Sequence, residues 1–381
     1  MNAKAAKKKI VEDIWPPVSR LNPDLSGQET AERTLLDAFN SERMAHAWLI
    51  SGPKGIGKAT LAYRFARYAL SQGGAGDSDG PGLFGDELPA PDPGSLWTDP
   101  QSPVFQRVAA GGHADLLGIE RTLNDNGKLR KEIVIDDVRG IGGFLSLTAA
   151  EGGWRIVVID SADEMNRNAA NAVLKVLEEP PARALLLLVS HNAGRLLPTI
   201  RSRCRKLVMP GLADQTMQTL LETYLPDVAA GDRAQLINLA SGSIGHAVSL
   251  HEAGGIDLYQ ELLALLGTCP RLDIQQLHKL AGNLAKVGAE DAFRTAMAIL
   301  LNILARMVRE FASGSGGGNL PAAEADIFQG LTSTAELDRW LQVWEKITHL
   351  LDRTDAINLD RKQVVLNVFL EIEGAARSGQ R

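Results

Sequence analysis

Two cysteines in 381 residues, Cys204 and Cys269, exclude a disulfide framework and a four-thiolate zinc site. Long apolar runs are missing as well. Stretches such as Ala184 to Val189 stop far short of the ~20 residues that cross a bilayer. The N-terminus carries Lys4, Lys7, Lys8 and Lys9 with no apolar stretch behind them, so no secretory signal is expected there. Nor is positive charge in excess: lysine and arginine total 40 against 46 acidic residues, a net charge of −6. That balance excludes a polycationic nucleic-acid coat. His113, His191 and His246 are too scattered to suggest a metal cluster, and no fixed-period repeat is present. What is there is ordinary: 45% apolar and 23% charged residues, near the averages of soluble globular chains. The length exceeds one ordinary core and predicts two or three domains in a cytoplasmic protein with no membrane segment.

Along the chain, Ala31, Leu35, Leu36 and Phe39 recur at helical spacing and predict an amphipathic helix over 28–44. The apolar stretch Ala47 to Ile50 then breaks into Ser51-Gly52-Pro53-Lys54-Gly55-Ile56-Gly57-Lys58 before helical periodicity returns from Ala59 to Leu70. Strand, glycine-rich loop, helix is the reading. Positions 73 to 100 hold seven Gly and five Pro, a density no packed element tolerates, so 71–103 is expected to be a flexible surface insertion. Further strands are predicted at Leu116 to Glu120, at Trp154 to Ile159 ending in Asp160, and at Leu185 to Val189. Asp136 is read as the N-cap of a helix running towards Leu147, and another helix covers Asn166 to Leu177 until Pro180 and Pro181 stop it. Strands alternating with helices predict a parallel α/β domain. After Pro210 strand signals nearly vanish. The expected plan is an α/β nucleotide-binding-like domain over 1–210, a small helical domain over 211–254 and a larger all-helical domain over 255–381.

The spacing of Gly52, Gly57 and Lys58 fits a phosphate-binding loop between strand and helix, with Gly55 inside it. Glycines let successive backbone N–H groups turn inward around a phosphate chain, and the helix N-terminus adds its positive pole. Lys58 would reach the terminal phosphates. The hydroxyl that should follow the lysine and hold magnesium is replaced by Ala59. Thr60 belongs to the loop's set but cannot substitute as metal ligand, since one further helical residue rotates the side chain ~100° away. Asp160 ends its strand where such proteins keep a magnesium-supporting carboxylate. The next residue is Ser161, whose hydroxyl cannot act as a carboxylate base, and Asp163 is assigned to the following turn. Gly52, Gly55, Gly57, Lys58, Thr60 and Asp160 are thus the residues of a degenerate nucleotide site.

The stretch Arg155 to Asn166, its continuation Asn171 to Pro181, the run His113 to Leu116 and the run Thr199 to Arg205 resemble the clamp-loader branch of the AAA+ family. The resemblance covers the α/β domain, and the three-domain layout extends it. It implies an AAA+ P-loop fold followed by a helical lid and an all-helical collar. It also implies membership of the bacterial DNA polymerase III clamp loader, a five-membered ring with tau/gamma and delta subunits that places a sliding clamp on primer-template DNA. Taken alone, Arg201, Arg203 and Arg205 read as a solvated basic turn. The resemblance instead makes Ser202-Arg203-Cys204 a trans-acting arginine motif, in which Arg203 serves a neighbour's nucleotide. It makes Ala240 to Ala247 a lid helix in which Gly245 stands where active relatives carry a sensing arginine.

The parts needed in cis are missing while the part given in trans remains, which predicts a subunit that hydrolyses no ATP itself. No cofactor is expected to be required. ATP or ADP could still be held without hydrolysis, and zinc is not expected because the zinc cysteines of relatives are absent. The competing readings are an active tau/gamma-type ATPase using Lys58 and Asp160, and a stand-alone DNA-binding module. Ala59 with Ser161 opposes the first, because metal ligand and base are both needed. The negative net charge opposes the second. Cys204 is expected to be a small buried residue. Trp340 and Trp344, four apart on a helix, are expected in the helical core or an interface rather than stacked on bases.

Overall fold

Five short parallel strands organise the first half of the chain. The computed structural model describes residues 18–41, 43–73, 94–124, 127–151, 153–313, 322–333, 335–357 and 359–378. The lysine-rich N-terminus and the greater part of the 71–103 insertion lie outside the described residues. At the insertion's described margins, Ser71 belongs to a helix and Leu96 is buried in the core.

The elements of this part are α1 (Glu29–Asn40), β1 (Ala47–Ser51), α2 (Lys58–Gly73), α3 (Pro103–Ala109) and β2 (Leu116–Ile119). Next come α4 (Ile135–Val138), α5 (Ile141–Ser146), β3 (Arg155–Ile159) and α6 (Arg167–Glu178). The series continues with β4 (Ala184–Ser190), α7 (Pro198–Arg203), β5 (Arg205–Val208) and α8 (Asp214–Tyr224). All strand pairs are parallel, in the order β2-β3-β4-β1-β5. Val157 of β3 faces Leu186 of β4, and Leu49 of β1 faces Leu188.

Side-chain alternation divides the core in two. Trp48, Ile50, Ile156, Val158, Leu185 and Leu187 pack on one face with Leu35 of α1 and Leu61, Ala62 and Phe65 of α2. Leu49, Val157, Ile159, Leu186 and Leu188 pack on the other with Val173 and Leu177 of α6 and Ile200 of α7. Central strands β3 and β4 are buried at every position, which is why they read as continuous apolar runs. This is the α/β P-loop fold expected from the sequence, followed by helices.

One expected element is corrected. The helix predicted from Asp136 towards Leu147 is two short helices, and Asp136 lies inside the first turn of α4 rather than at its N-cap. The Asp137 carboxylate instead accepts the Val134 backbone N–H at 2.8 Å, and Gly140 separates the pieces. Glycine in a helix loses the most backbone entropy, and three glycines between 140 and 143 break the run.

Two compact units divide the chain: residues up to Pro226 together with Ser241–Gly245, and Asp227–Ala240 together with the residues from His246 on. Residues of the segment 211–254 fall in both. All regular elements among the second unit's described residues are helices. Its helices are α9 (Ala230–Ala240), α10 (Ile244–Glu252, whose first two residues belong to the first unit), α11 (Gly255–Leu266) and α12 (Ile274–Leu284). They are followed by α13 (Glu290–Ser313), α14 (Ala322–Thr332), α15 (Leu337–Ile357) and α16 (Arg361–Ser378). Trp340 is buried and Trp344 donates its indole N–H to the Leu301 carbonyl at 3.3 Å, so both serve helix packing. Fully buried Glu324 takes Tyr259 Oη and Arg306 Nη2 as partners, which satisfies a charge that would otherwise be costly to bury. Among the described residues no helix is long and apolar enough to cross a membrane.

Candidate functional site

The loop after β1 turns through three glycines with positive φ: Gly52 at 151°, Gly55 at 77° and Gly57 at 95°. A side chain at Gly52 would put its Cβ 2.3 Å from the Met209 carbonyl oxygen, so only glycine lets the loop pass the end of β5. Helix α2 starts at Lys58, whose side chain is 3% exposed. Its Nζ donates to the Gly52 carbonyl at 2.8 Å and to the Pro53 carbonyl. The lysine is thus folded back onto its own loop. Burial pulls its pKa down to about 8, with Asp163 and Asp160 partly opposing the shift. Ala59 and Thr60 are both buried in the first turn of α2.

Asp160 follows β3, its backbone N–H bonded to the Ile119 carbonyl at 2.8 Å. Burial raises its pKa, and the neighbouring Glu120 carboxylate adds to the rise while Lys58 opposes it. Ser161 sits in the left-handed region at φ 61°, its Oγ 3.1 Å from His191 Nε2. Asp163 accepts the backbone N–H groups of His191 (2.9 Å) and Asn192 (3.0 Å), so both its oxygens tie down the chain after β4. It therefore belongs to a structural turn, as its spacing suggested. Burial, and then the charge of Lys58, pulls the His191 imidazole down to about 4, so it stands neutral beside the lysine. Sequence reading gave no role to Glu120 or His191, and each reaches the pocket only because parallel strands end side by side.

These groups do not fit a magnesium ion. No hydroxyl follows Lys58, and Ser161 stands where a carboxylate base would be. Among the described residues no group of three or more His, Cys, Asp or Glu side chains could hold a metal. The glycine turns and Lys58 do fit a phosphate, provided the ammonium swings away from the Gly52 and Pro53 carbonyls.

Gly245 lies in the first turn of α10 and touches the loop directly. Its N–H donates to the Gly55 carbonyl at 2.9 Å, and Ser243 Oγ donates to the Lys54 carbonyl at 2.6 Å. A Cβ at Gly245 would stand 2.9 Å from Gly55 Cα. The residue is thus a close-packing glycine as well as a position without a side chain.

Arg203 closes α7. Its Nη2 meets Glu178 Oε1 at 2.8 Å and its Nη1 donates to the Thr199 carbonyl at 3.0 Å, with 35% of the side chain exposed. Its neighbours differ from it. The Arg205 guanidinium lies over the Trp48 ring, 4.7 Å from the centroid. Cys204 is buried, and burial pushes its thiol up to about 12, so it is no nucleophile. In the run from His113, Asp115 is 1% exposed and accepts the N–H groups of Ala150 and Glu151 while pairing with Arg155 at 3.3 Å. That run fastens the loop before β3 and does not reach the pocket residues.

A family model described as "DNA polymerase III, delta subunit" matches residues 88–213, which include β2 to β5 and α7. The chain is 37% identical over 210 residues to the DNA polymerase III subunit delta' of Pseudomonas aeruginosa, covering 55% of this chain and 57% of that one. Similarity to the delta' subunit of Escherichia coli is 31% over 222 residues, covering 57% and 58%. A tau subunit from Bacillus subtilis is 25% identical over 281 residues, covering 71% of this chain and 45% of its own. The matches span roughly half to three fifths of these relatives' own lengths. Over its α/β half the chain is thus similar to DNA polymerase III subunits of the delta' type.

Proposed function

We propose that this chain is a delta-prime-type clamp-loader subunit that hydrolyses no ATP itself and supplies Arg203 to the nucleotide of a neighbouring ATPase subunit. The observation that carries the reading is the placement of Arg203. Its guanidinium is held by Glu178 and Thr199 at the end of α7 and remains partly open to solvent. A planar, permanently charged fork can neutralise phosphate charge developing across a subunit boundary. The cis pocket supports the same reading from the other side, with Ala59 for the metal ligand, Ser161 for the base and Gly245 for the sensing arginine. On this reading the pocket holds at most ATP or ADP without turnover. Residues 211–254 act as a lid segment and 255–381 as a collar joining tau/gamma and delta subunits in a five-membered ring. The assembled ring, rather than this chain alone, meets the sliding clamp and primer-template DNA.

The test is reconstitution with ATP-hydrolysing partner subunits, with turnover and clamp loading on primed DNA as readouts. The isolated chain is expected to show background turnover only. An assembled ring carrying Arg203→Ala should lose the turnover of one site and load clamps poorly. Turnover by the isolated chain would favour the active tau/gamma-type ATPase. An Arg203→Ala ring working at the unmodified rate would return Arg203 to the basic-turn reading.

A further inference from the structure

We propose that Glu178 is a positioning residue for Arg203, orienting the guanidinium before a neighbour's polyphosphate arrives. The inference rests on the reading of Arg203 as a group given in trans. Glu178 is the last residue of α6, and Pro180 and Pro181 end the element just beyond it, so its backbone is fixed in place. A carboxylate in the last helical turn is opposed by the helix dipole, so helix stability gives no reason for it there. Its ion-pair partner is Arg203, at 2.8 Å from Oε1 to Nη2. The Thr199 carbonyl takes Nη1 from the other side at 3.0 Å. Two of the guanidinium's five N–H groups are engaged by these contacts, one on each terminal nitrogen.

The fork is therefore gripped from both edges by atoms of its own chain. A long side chain held in advance loses less freedom when it meets phosphate, and correct orientation acts on the rate rather than on affinity. The exposures of the pair, 35% for Arg203 and 51% for Glu178, leave room for a phosphate oxygen to approach. An ion pair so open to solvent contributes little to folding. Its removal can then be read in turnover without loss of the fold.

The experiment measures kcat and KM for ATP in the reconstituted ring on primed DNA with Glu178→Ala, Glu178→Gln, Arg203→Ala and the Glu178→Ala/Arg203→Ala double variant. Glu178→Ala is expected to lower kcat about two- to fivefold with KM unchanged, the range a half-exposed charge pair can supply. Glu178→Gln, which keeps an acceptor but no charge, should fall between. In the Arg203→Ala background, Glu178→Ala should change nothing further, a signature that a merely structural role does not produce. The proposal is overturned if Glu178→Ala keeps or raises kcat, if the double variant falls by the product of the single losses, or if both Glu178 variants fail to assemble. Should Arg203→Ala itself leave turnover intact, the trans-arginine reading fails. A loss with Arg203→Ala but not with either Glu178 variant would remove Glu178 alone.

Discussion

The phosphate loop and the end of α7 belong to one α/β unit, yet their cations are placed in opposite ways. Lys58 is 3% exposed and bonded to the Gly52 and Pro53 carbonyls of its own loop. Arg203 is 35% exposed and steadied by a carboxylate and a carbonyl that leave part of its fork open. Around the lysine, Asp163 is committed to backbone N–H groups and Ser161 to His191. A pocket whose polar groups satisfy one another contributes to packing whether or not it holds a ligand. A guanidinium held at the surface contributes little to packing and leaves part of its fork open to solvent.

The largest expected effect contrasts these two cations directly. In the assembled ring, Lys58→Ala should leave ATP turnover almost unchanged. Arg203→Ala should cost the served site ~10³–10⁵ in rate, or ~4–7 kcal/mol of barrier. Arg203→Lys should rescue poorly, because a point charge on a flexible stem does not reproduce the planar fork. Steady-state turnover on primed DNA reads both. A large fall with Lys58→Ala in an intact ring would erase the distinction between the two regions.

A smaller effect appears in the stability of the isolated chain against pH. The folded pKa of Lys58, about 8, lies below its ordinary 10.5, so folding disfavours its charged form. Below pH 8 the lysine is protonated in both states, and the full penalty is present, on the order of 3 kcal/mol. Stability should rise as pH climbs from 8 to 10.5, where the unfolded chain holds the extra proton. Urea titrations of Lys58→Met should lack that rise. The same pH dependence in both proteins would mean that the ammonium is not penalised by its burial.

How far the molecule was legible in its sequence depends on how locally each feature is determined. Strands β3 and β4 announced themselves as apolar runs because helices cover both their faces. Strand β5 was not singled out: it lies at the sheet edge, and Arg205, Lys206 and Val208 are exposed there. The phosphate loop could be read because its glycines and lysine are contiguous. Glu178, Glu120 and His191 could not, since each finds its partner across tens of residues through the order of parallel strands. The resemblance read Gly245 as the position of an absent arginine, while its contact with Gly55 is revealed only by the folded backbone.

That contact leads to the next effect in size. If Gly245 were merely a lost sensor, Gly245→Arg would restore nucleotide sensing. The Cβ position, 2.9 Å from Gly55 Cα and 3.4 Å from its carbonyl oxygen, faces backbone that cannot step aside. The variant is expected to lose about 1–3 kcal/mol, as overpacked sites do, and to melt several degrees lower. Calorimetry on the isolated chain reads this. An unchanged melting temperature combined with tight ATP binding would show that the loop can yield, and would move the pocket closer to a working site.

The smallest expected effect separates two arginines that lie two residues apart. Arg205 on edge strand β5 stands opposite Trp48 in the strand register and covers its ring at 4.7 Å, whereas Arg203 touches no aromatic ring among the described contacts. A cation over an indole at an exposed site contributes about 0.5–1 kcal/mol. Arg205→Ala should therefore lower the unfolding free energy by that amount and leave ring turnover near its unmodified rate. Arg203→Ala should cost a similar or smaller amount of stability, about 0–1 kcal/mol from its half-exposed pair with Glu178, but should slow the ring strongly. Arg205→Lys should keep part of the stability, because an ammonium also sits favourably on an aromatic face. Denaturant unfolding and ring turnover measured on the same preparations give both numbers for each variant. If Arg205→Ala slows the ring as strongly as Arg203→Ala, the basic run acts as one charged surface rather than as one oriented fork beside a packing residue.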